Sequence, residues 1–365
     1  MNRVMDIEEI LLIEPYSLTK DQKAELLTTE LKQLTSLHYQ HSERYKRMMD
    51  AIGLNIEAIK TYYDLPFLPV RMFKEFELLS VSKEDIVKTM TSSGTTGQQV
   101  SKIFLDRETA SNQTKVLTKL VSNFLGKKRV PMLILDSSAV VKDRNMFSAR
   151  GAGILGFSMF GSKRLYAFDE NMKLDIDNIK TFLSEHEGET IFMFGFTFMI
   201  WQHFYKELLT SSFHPDLSNA ILIHGGGWKK LQSESVSQDE FKRKLNEVCG
   251  INKNHIHDYY GMVEQTGTIY MECECGHLHA SVFSDVIIRR TSDFSVADIG
   301  ENGIIEVVSI LPKSYPGHAL LTEDEGLILG EDDCPCGRLG KYFQILGRIK
   351  NAEIRGCSDT YATKF

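Results

Sequence analysis

Apolar positions recur at helical spacing twice in the first third of the chain. In "HYQHSERYKRMMDAIG", Tyr45, Met48, Met49 and Ile52 fall on one stripe that stops at Gly53, so residues 20–52 read as helix. "DLPFLPV" (64–70) breaks that pattern with two prolines. A second stripe occupies 109–125, where Val116, Leu117, Leu120, Val121, Phe124 and Leu125 face inward before Gly126. The period then changes. "VPMLILDSS" (130–138) is a continuous apolar run ending in polar residues, as in a parallel strand covered on both faces. The unit returns as strand "TIFMFGF" with helix "TFMIWQHFYKELL", and as "AILIHGGG" with "DEFKRKLNEVCG". Alternation of this kind predicts an α/β fold, a parallel sheet with covering helices. After about residue 265, "HASVFSDVIIRR" and "GIIEVVSIL" are β-rich with no long helix between them, which predicts a smaller, partly antiparallel subdomain.

Composition narrows the function classes. The 365 residues are 42% apolar and 25% charged, as in a globular protein with a substantial core. A formal charge of −7 leaves no general basic field, so nucleic acid is not an expected partner. The short clusters "GKKR" (126–129) and "FKRK" (241–244) read as solvated helix ends. The most apolar run, "IFMFGFTFMIW" (191–201), has eleven residues, against roughly 20 for a bilayer span. Glu8, Glu9 and Glu14 around a short apolar patch do not make a signal peptide. With no export signal, six cysteines argue against a disulfide framework, and a cytoplasmic location is expected.

Three polar loops leave strands or sit beside them, where open α/β sheets gather ligands. "SSGTTG" (92–97) lacks the Lys of a Walker loop, yet its chemistry suits phosphate. Ser92, Ser93, Thr95 and Thr96 supply hydroxyl donors, and Gly94 and Gly97 let backbone amides turn toward an anion. A plain surface loop has the same composition. "HGGGW" (224–228) offers backbone that can approach a flat ring, or simply a tight turn. "DYYGMVEQTG" (258–267) offers an aromatic face at Tyr260 and a carboxylate at Glu264 that is otherwise just solvated. Two Cys-x-Cys pairs about sixty residues apart, "ECECGHLH" and "CPCG", suit a tetrahedral soft-ligand site as well as ordinary thiols. Cys249 ends a helix beside Gly250 and reads as a small buried residue.

The order of these segments resembles the adenylate-forming superfamily of acyl and aryl ligases. "TSSGTTG" is similar to its phosphate loop and "YYGMVEQTG" to its aromatic-Gly-x-x-Glu motif. "LLTEDEG" (320–326) is similar to its Thr-x-Asp-x-Gly segment, and "ILGRIKNAEIRG" (345–356) to its Gly-Arg hinge. Within the superfamily the chain most resembles the acyl-protein synthetases of bacterial bioluminescence, from about residue 30 onward. "LPFLPVRMFKEFELLSV" leading into "TSSGTTGQ", and the cysteine near the end, carry that likeness.

The resemblance implies an N-terminal adenylation domain of layered parallel sheets with helices and a small β-rich subdomain. That domain would cover 1–347, with a helical N-terminus to about 63 and the β-rich part at about 268–347. Residues 348–365 would be a hinge remnant and tail, without the lid domain and catalytic Lys of most superfamily members. Lys102, Lys341 and Lys350 are positional candidates for that missing cation. By the same likeness Ser92, Ser93, Gly94, Thr95, Thr96 and Gly97 would hold the β- and γ-phosphates of ATP. Gly225, Gly226, Gly227 and Tyr260 would enclose adenine, with Glu264 near Mg²⁺. Asp324 would bind the ribose hydroxyls, and Arg348 would support ribose or phosphate, roles that suit a carboxylate and a guanidinium.

The likeness extends to a structural Zn²⁺ site, as in the phenylacetate-CoA ligase branch, with Cys273, His279, Cys334 and Cys336 as ligands and Cys275 and His277 as substitutes. Cys357, eight residues from the end in "IRGCSDT", would accept the acyl group as a thioester, because a thiol offers a useful thiolate fraction near neutral pH. Without the resemblance it would be an incidental tail cysteine. The implied activity is ATP-dependent activation of a long-chain fatty acid to acyl-AMP and transfer to Cys357. Delivery to the acyl reductase of a fatty acid reductase complex, which also holds an acyl transferase, would then give aldehyde for luciferase. The alternatives are an acyl- or aryl-CoA ligase and a non-catalytic, zinc-stabilised scaffold.

Overall fold

The computed structural model describes residues 3–92, 100–142 and 149–349. The first long helix, Lys20–His41, is opened by a reciprocal cap in which Gln22 accepts from the Thr19 backbone N–H at 3.1 Å. It buries Leu27, Leu31 and Leu34, spaced by four and three residues. At Ser42 the backbone is extended, and a second helix, Glu43–Ala51, starts in a new direction to bury Tyr45 and Met49. The single helix read over 20–52 is therefore two.

Fourteen strands occur among the described residues. The short β1 (Leu68–Pro69) is followed by a separate hairpin, β2 (Lys88–Thr91) and β3 (Lys102–Leu105). The α/β half supplies β4 (Val130–Ser137), β5 (Gly161–Phe168), β6 (Ile191–Phe196), β7 (Ala220–Gly225) and β8 (Ile256–Tyr260). The β-rich half supplies β9 (Tyr270–Glu272), β10 (Leu278–His279), β11 (Ser284–Arg289), β12 (Gly303–Ser309), β13 (Ala319–Glu331) and β14 (Lys341–Arg348).

Strands β5-β4-β6-β7-β8 pair in parallel, and the sheet continues through β9, β10, β14, β13, β12 and β11 in antiparallel pairs. Every residue of β6 is buried, as its unbroken apolar run requires. The helices Arg107–Leu125 and Gln238–Cys249 cover this half, burying Val116, Leu120, Phe241 and Leu245. The two halves thus share one mixed sheet, in which the expected β-rich part is the antiparallel end. Among the described residues, no helix is long and apolar enough to cross a membrane.

A buried charge cluster fastens the N-terminal helix to the antiparallel end. The Asp285 carboxylate on β11 accepts from Lys23 Nζ at 3.1 Å and from Lys341 Nζ at 2.9 Å. The Tyr62 hydroxyl also donates to it. Lys341, a positional candidate for the missing lid cation, is committed to this cluster, where burial lowers its pKa but Asp285 and Tyr63 together overcome that and raise it. Burial alone would raise the Asp285 carboxyl; Lys23 and Lys341 overcome that and hold it at about 2.

Candidate active site

The parallel strands β4, β6, β7 and β8 end on one edge, and β13 and β14 come up beside them. Because β9 and β10 are only three and two residues long, little ladder separates β8 from the antiparallel end. Tyr260, the last residue of β8, donates its hydroxyl to Asp324 Oδ2 at 2.8 Å. Asp324 lies opposite Arg348 in the β13–β14 register, and Arg348 Nε stands 3.5 Å from Asp324 Oδ1. Arg348 also donates to Glu323 at 2.9 Å. The Tyr260 ring is held edge-on by Phe343 and against Tyr270. Burial, then the Asp324 carboxylate, raises its phenol well above the ordinary value, so it remains a donor. Glu264 is fully buried in the turn Val263–Gln265 after β8, and its carbonyl accepts from the Tyr315 hydroxyl at 3.0 Å. Gly267, three residues on, is a glycine by necessity: at φ +94° a Cβ would stand 2.6 Å from the Gln113 backbone.

The glycine run after β7 is set differently from its neighbour Tyr260. Gly225 pairs with Tyr259 in the β7–β8 register, and a Cβ on Gly225 would meet the Tyr259 ring at 2.5 Å. Successive strand residues point to opposite faces, so Tyr259 packs under the glycine run while Tyr260 turns to Asp324. Phe196 touches Gly226 from the other side. Beneath the run, the Thr197 hydroxyl donates to the Gly225 carbonyl at 3.3 Å and accepts from His224 Nδ1–H at 2.9 Å. Burial lowers His224 to about 3, which keeps the imidazole neutral. Thr197 belongs to no motif, and Tyr259, though it lies inside the "YYGMVEQTG" segment, takes no role from it; the sequence signal for both is position at the carboxyl end of a strand.

The β2–β3 hairpin carries the proposed phosphate loop. Ser92 closes its neck: its N–H donates to the Ser101 carbonyl at 3.0 Å, and its hydroxyl accepts from the Ser101 N–H at 2.9 Å. Ser93, Gly94, Thr95, Thr96 and Gly97 lie outside the described residues, as do Lys350 and Cys357. Lys102 is exposed and lines a cleft of about 360 Å³ with Phe73, Lys74, Phe76 and Phe104.

At the antiparallel end, Cys273, His279, Cys334 and Cys336 converge, their ligand atoms all within 4.8 Å of one another. Cys273 Sγ is 4.0 Å from Cys334 Sγ, and Cys336 Sγ is 3.4 Å from His279 Nε2. Tetrahedral zinc with Zn–S bonds of about 2.3 Å sets sulfurs about 3.8 Å apart, so the donor set and the spacing fit. Burial lowers His279 to about 3, leaving a neutral ring with a lone pair to give. His277 Nδ1 approaches Cys334 Sγ at 3.3 Å, while Cys275 is exposed. Cys249 is buried as expected, and burial pushes its thiol up to about 12.

Known proteins resemble the chain over nearly its whole length. The family described as "Acyl-protein synthetase, LuxE" matches residues 3–365. The long-chain-fatty-acid–luciferin-component ligase of Vibrio harveyi is 24% identical over 92% of this chain and 89% of its own length. The protein of the same name from Aliivibrio fischeri is 23% identical over 96% of this chain and 91% of its own. Among solved structures, an open conformation of 2-hydroxyisobutyryl-CoA ligase, in complex with 2-HIB-AMP and CoA, superposes with a TM-score of 0.70 at 14% identity. It covers 92% of this chain and 71% of that one. The fold is that of the adenylate-forming ligases.

Proposed function

The chain belongs to the acyl-protein synthetase family, and from that membership we propose that it activates a long-chain fatty acid with MgATP and carries the acyl group on Cys357. One observation carries the reading: Tyr260, Asp324 and Arg348 converge at the carboxyl edge of the sheet. A carboxylate fixed between a phenol and a guanidinium can accept from two vicinal ribose hydroxyls while the guanidinium faces phosphate. Gly225–Gly227 and the Tyr260 ring border the base, and Ser92–Gly97 take the β- and γ-phosphates. Glu264 is the carboxylate for Mg²⁺, which when bound offsets the triphosphate charge. Cys273, His279, Cys334 and Cys336 hold a structural Zn²⁺.

In the proposed sequence a carboxylate oxygen of the acid attacks the α-phosphorus of ATP. The bond to pyrophosphate breaks, and acyl-AMP forms. The Cys357 thiolate then attacks the acyl carbon, the bond to the AMP oxygen breaks, and AMP leaves with that electron pair. A partner acyl reductase, with an acyl transferase in the same cytoplasmic complex, delivers a hydride from a reduced cosubstrate of its own to the acyl carbon. The C–S bond then breaks, the Cys357 thiol is regenerated and the aldehyde for luciferase is released. The names of the Vibrio harveyi and Aliivibrio fischeri relatives support the choice of a long-chain acid.

The test is ATP–pyrophosphate exchange with labelled fatty acids of graded length, with and without CoA. Exchange should require a long-chain acid and proceed without CoA, and the label should stay on the denatured protein until hydroxylamine releases it. A soluble CoA thioester as sole product selects the CoA-ligase alternative. No acid-dependent exchange at all selects the scaffold.

A further inference from the structure

The carboxyl end of β4 holds a buried ion pair that is only half made. Asp136 is fully buried and Arg150 is 4% exposed, with Arg150 Nε 3.1 Å from Asp136 Oδ2. Among the described residues neither of those two atoms has a partner in hydrogen-bond geometry. Asp136 Oδ1 is taken by the Ser137 N–H at 2.7 Å. Arg150 Nη1 faces only the Met199 sulfur, a weak acceptor, at 3.4 Å. A buried guanidinium with so few good acceptors is disfavoured until another anion completes it. Burial carries the Asp136 carboxyl up to about 6, against the lowering effects of Arg150 and the Ser137 N–H.

The helix bearing Arg150, Ala149–Phe157, packs its apolar face into the core beside that pair. Arg150, Ile154 and Phe157 recur on one face at i, i+4 and i+7. Ile154 and Phe157 are buried, and Phe157 stacks on Phe194 with ring centroids 4.2 Å apart and meets Tyr259 at 5.3 Å. From Arg150 to Phe157 this face runs about 10 Å. It borders the glycine run after β7, because the Phe196 ring lies between Gly153 and Gly226, each of whose added Cβ atoms would meet it at 3.1 Å. Gly151, Gly153 and Gly156 place three glycines in nine helical residues, a composition that gives way easily.

We propose that Arg150 anchors the carboxylate of the acyl substrate beside the glycine run, and that Asp136 is the counter-ion that keeps the cation when no acid is bound. This rests on the acid-activation reading above. Arg150 is a positioning residue: a two-pronged guanidinium–carboxylate contact fixes the acid beside the glycine run, and the reacting oxygen is the substrate's own.

The experiment uses the whole chain and two readouts. In acid-dependent exchange, Arg150→Gln should raise the KM for fatty acid tenfold or more while the KM for ATP stays within about twofold. Arg150→Lys should recover part of the loss. Asp136→Asn should lower the KM for fatty acid by freeing the cation. Independently of turnover, wild-type protein without ATP should bind a long-chain carboxylate at least tenfold more tightly than the alcohol of equal length, a preference that Arg150→Gln removes. Equal binding of acid and alcohol by the wild type overturns the proposal even if the variants fail to fold. So does a parallel rise of both KM values in Arg150→Gln and Asp136→Asn, the signature of a merely structural pair. Carboxylate-selective binding without any exchange leaves the anchor standing and removes the activation reading instead.

Discussion

Asp324 is the residue on which the nucleotide proposal turns, since it meets both Tyr260 and Arg348. Asp324→Asn keeps the shape and one acceptor but loses the charge. A hydrogen bond to a charged group is worth roughly 1.5–3 kcal/mol, so the KM for ATP should rise tenfold or more with melting temperature nearly unchanged. Exchange kinetics at saturating fatty acid measure this, and an unaltered KM would make Asp324 a structural partner of Tyr260. Residues of this kind were legible in the sequence because a carboxylate, a phenol and a guanidinium in a known order bring their chemistry with them. Tyr259 and Thr197 were not, because what they do is fit. Tyr259 fills the space left by the missing Gly225 side chain, and Thr197 holds the Gly225 carbonyl. Neither act is written in a residue's type. Arg150 was invisible for a third reason: its partner Asp136 lies on another element, and only the fold brings the two together.

Between elements, Asp285 links the helix Lys20–His41 to β14 through two buried lysines. Removing one member of a buried ion pair typically costs about 3–5 kcal/mol, and Asp285→Asn strands two cations at once, so the loss should reach at least that range in denaturant titration. The pH dependence has a defined sign. The folded-state pKa is depressed to about 2 from an ordinary 3.8, so the stabilisation is complete above about pH 4 and disappears as pH falls toward 2. The gap between wild type and Asp285→Asn should therefore narrow on acidification from pH 5; a constant gap would mean Asp285 is not ionised in the fold. The Cys/His cluster ties the β9–β10 turn to the β13–β14 connection. Cys334→Ser with Cys336→Ser should abolish about one equivalent of zinc by elemental analysis and lower the melting temperature by about 5 °C or more. Wild-type protein purified without chelators and free of zinc would leave these as plain thiols. At this scale the parallel strands were legible because each is an unbroken apolar run. The break at Ser42 and the two-residue β10 were not, because capping geometry and ladder pairing decide them rather than hydrophobic period.

Across the whole molecule, the antiparallel end of the sheet delivers β14 to the carboxyl edge of the parallel end, so Arg348 sits beside Asp324 and the chain leaves from there. Cys357 follows Arg348 by nine residues. Eight residues beyond Ile349 span at most about 26–29 Å when extended. On the proposed reading, that contour length brings an acceptor within reach of an adenylate held at Tyr260 and Asp324. The two half-reactions should then separate cleanly. In the proposed sequence, acyl-AMP formation depends on the nucleotide loops and the acid, and the thiol enters only in the second step. Cys357→Ser should keep fatty-acid-dependent ATP–pyrophosphate exchange within about twofold while losing the hydroxylamine-sensitive acyl label, and aldehyde production with added acyl reductase should stop with it. Gly356→Pro stiffens the tether beside the thiol and should slow labelling more than exchange. If Cys357→Ser still acquires a hydroxylamine-sensitive label, the acceptor is another thiol. Exposed Cys275 is then the next to replace, since buried Cys249, with its thiol pushed up to about 12, makes a poor nucleophile.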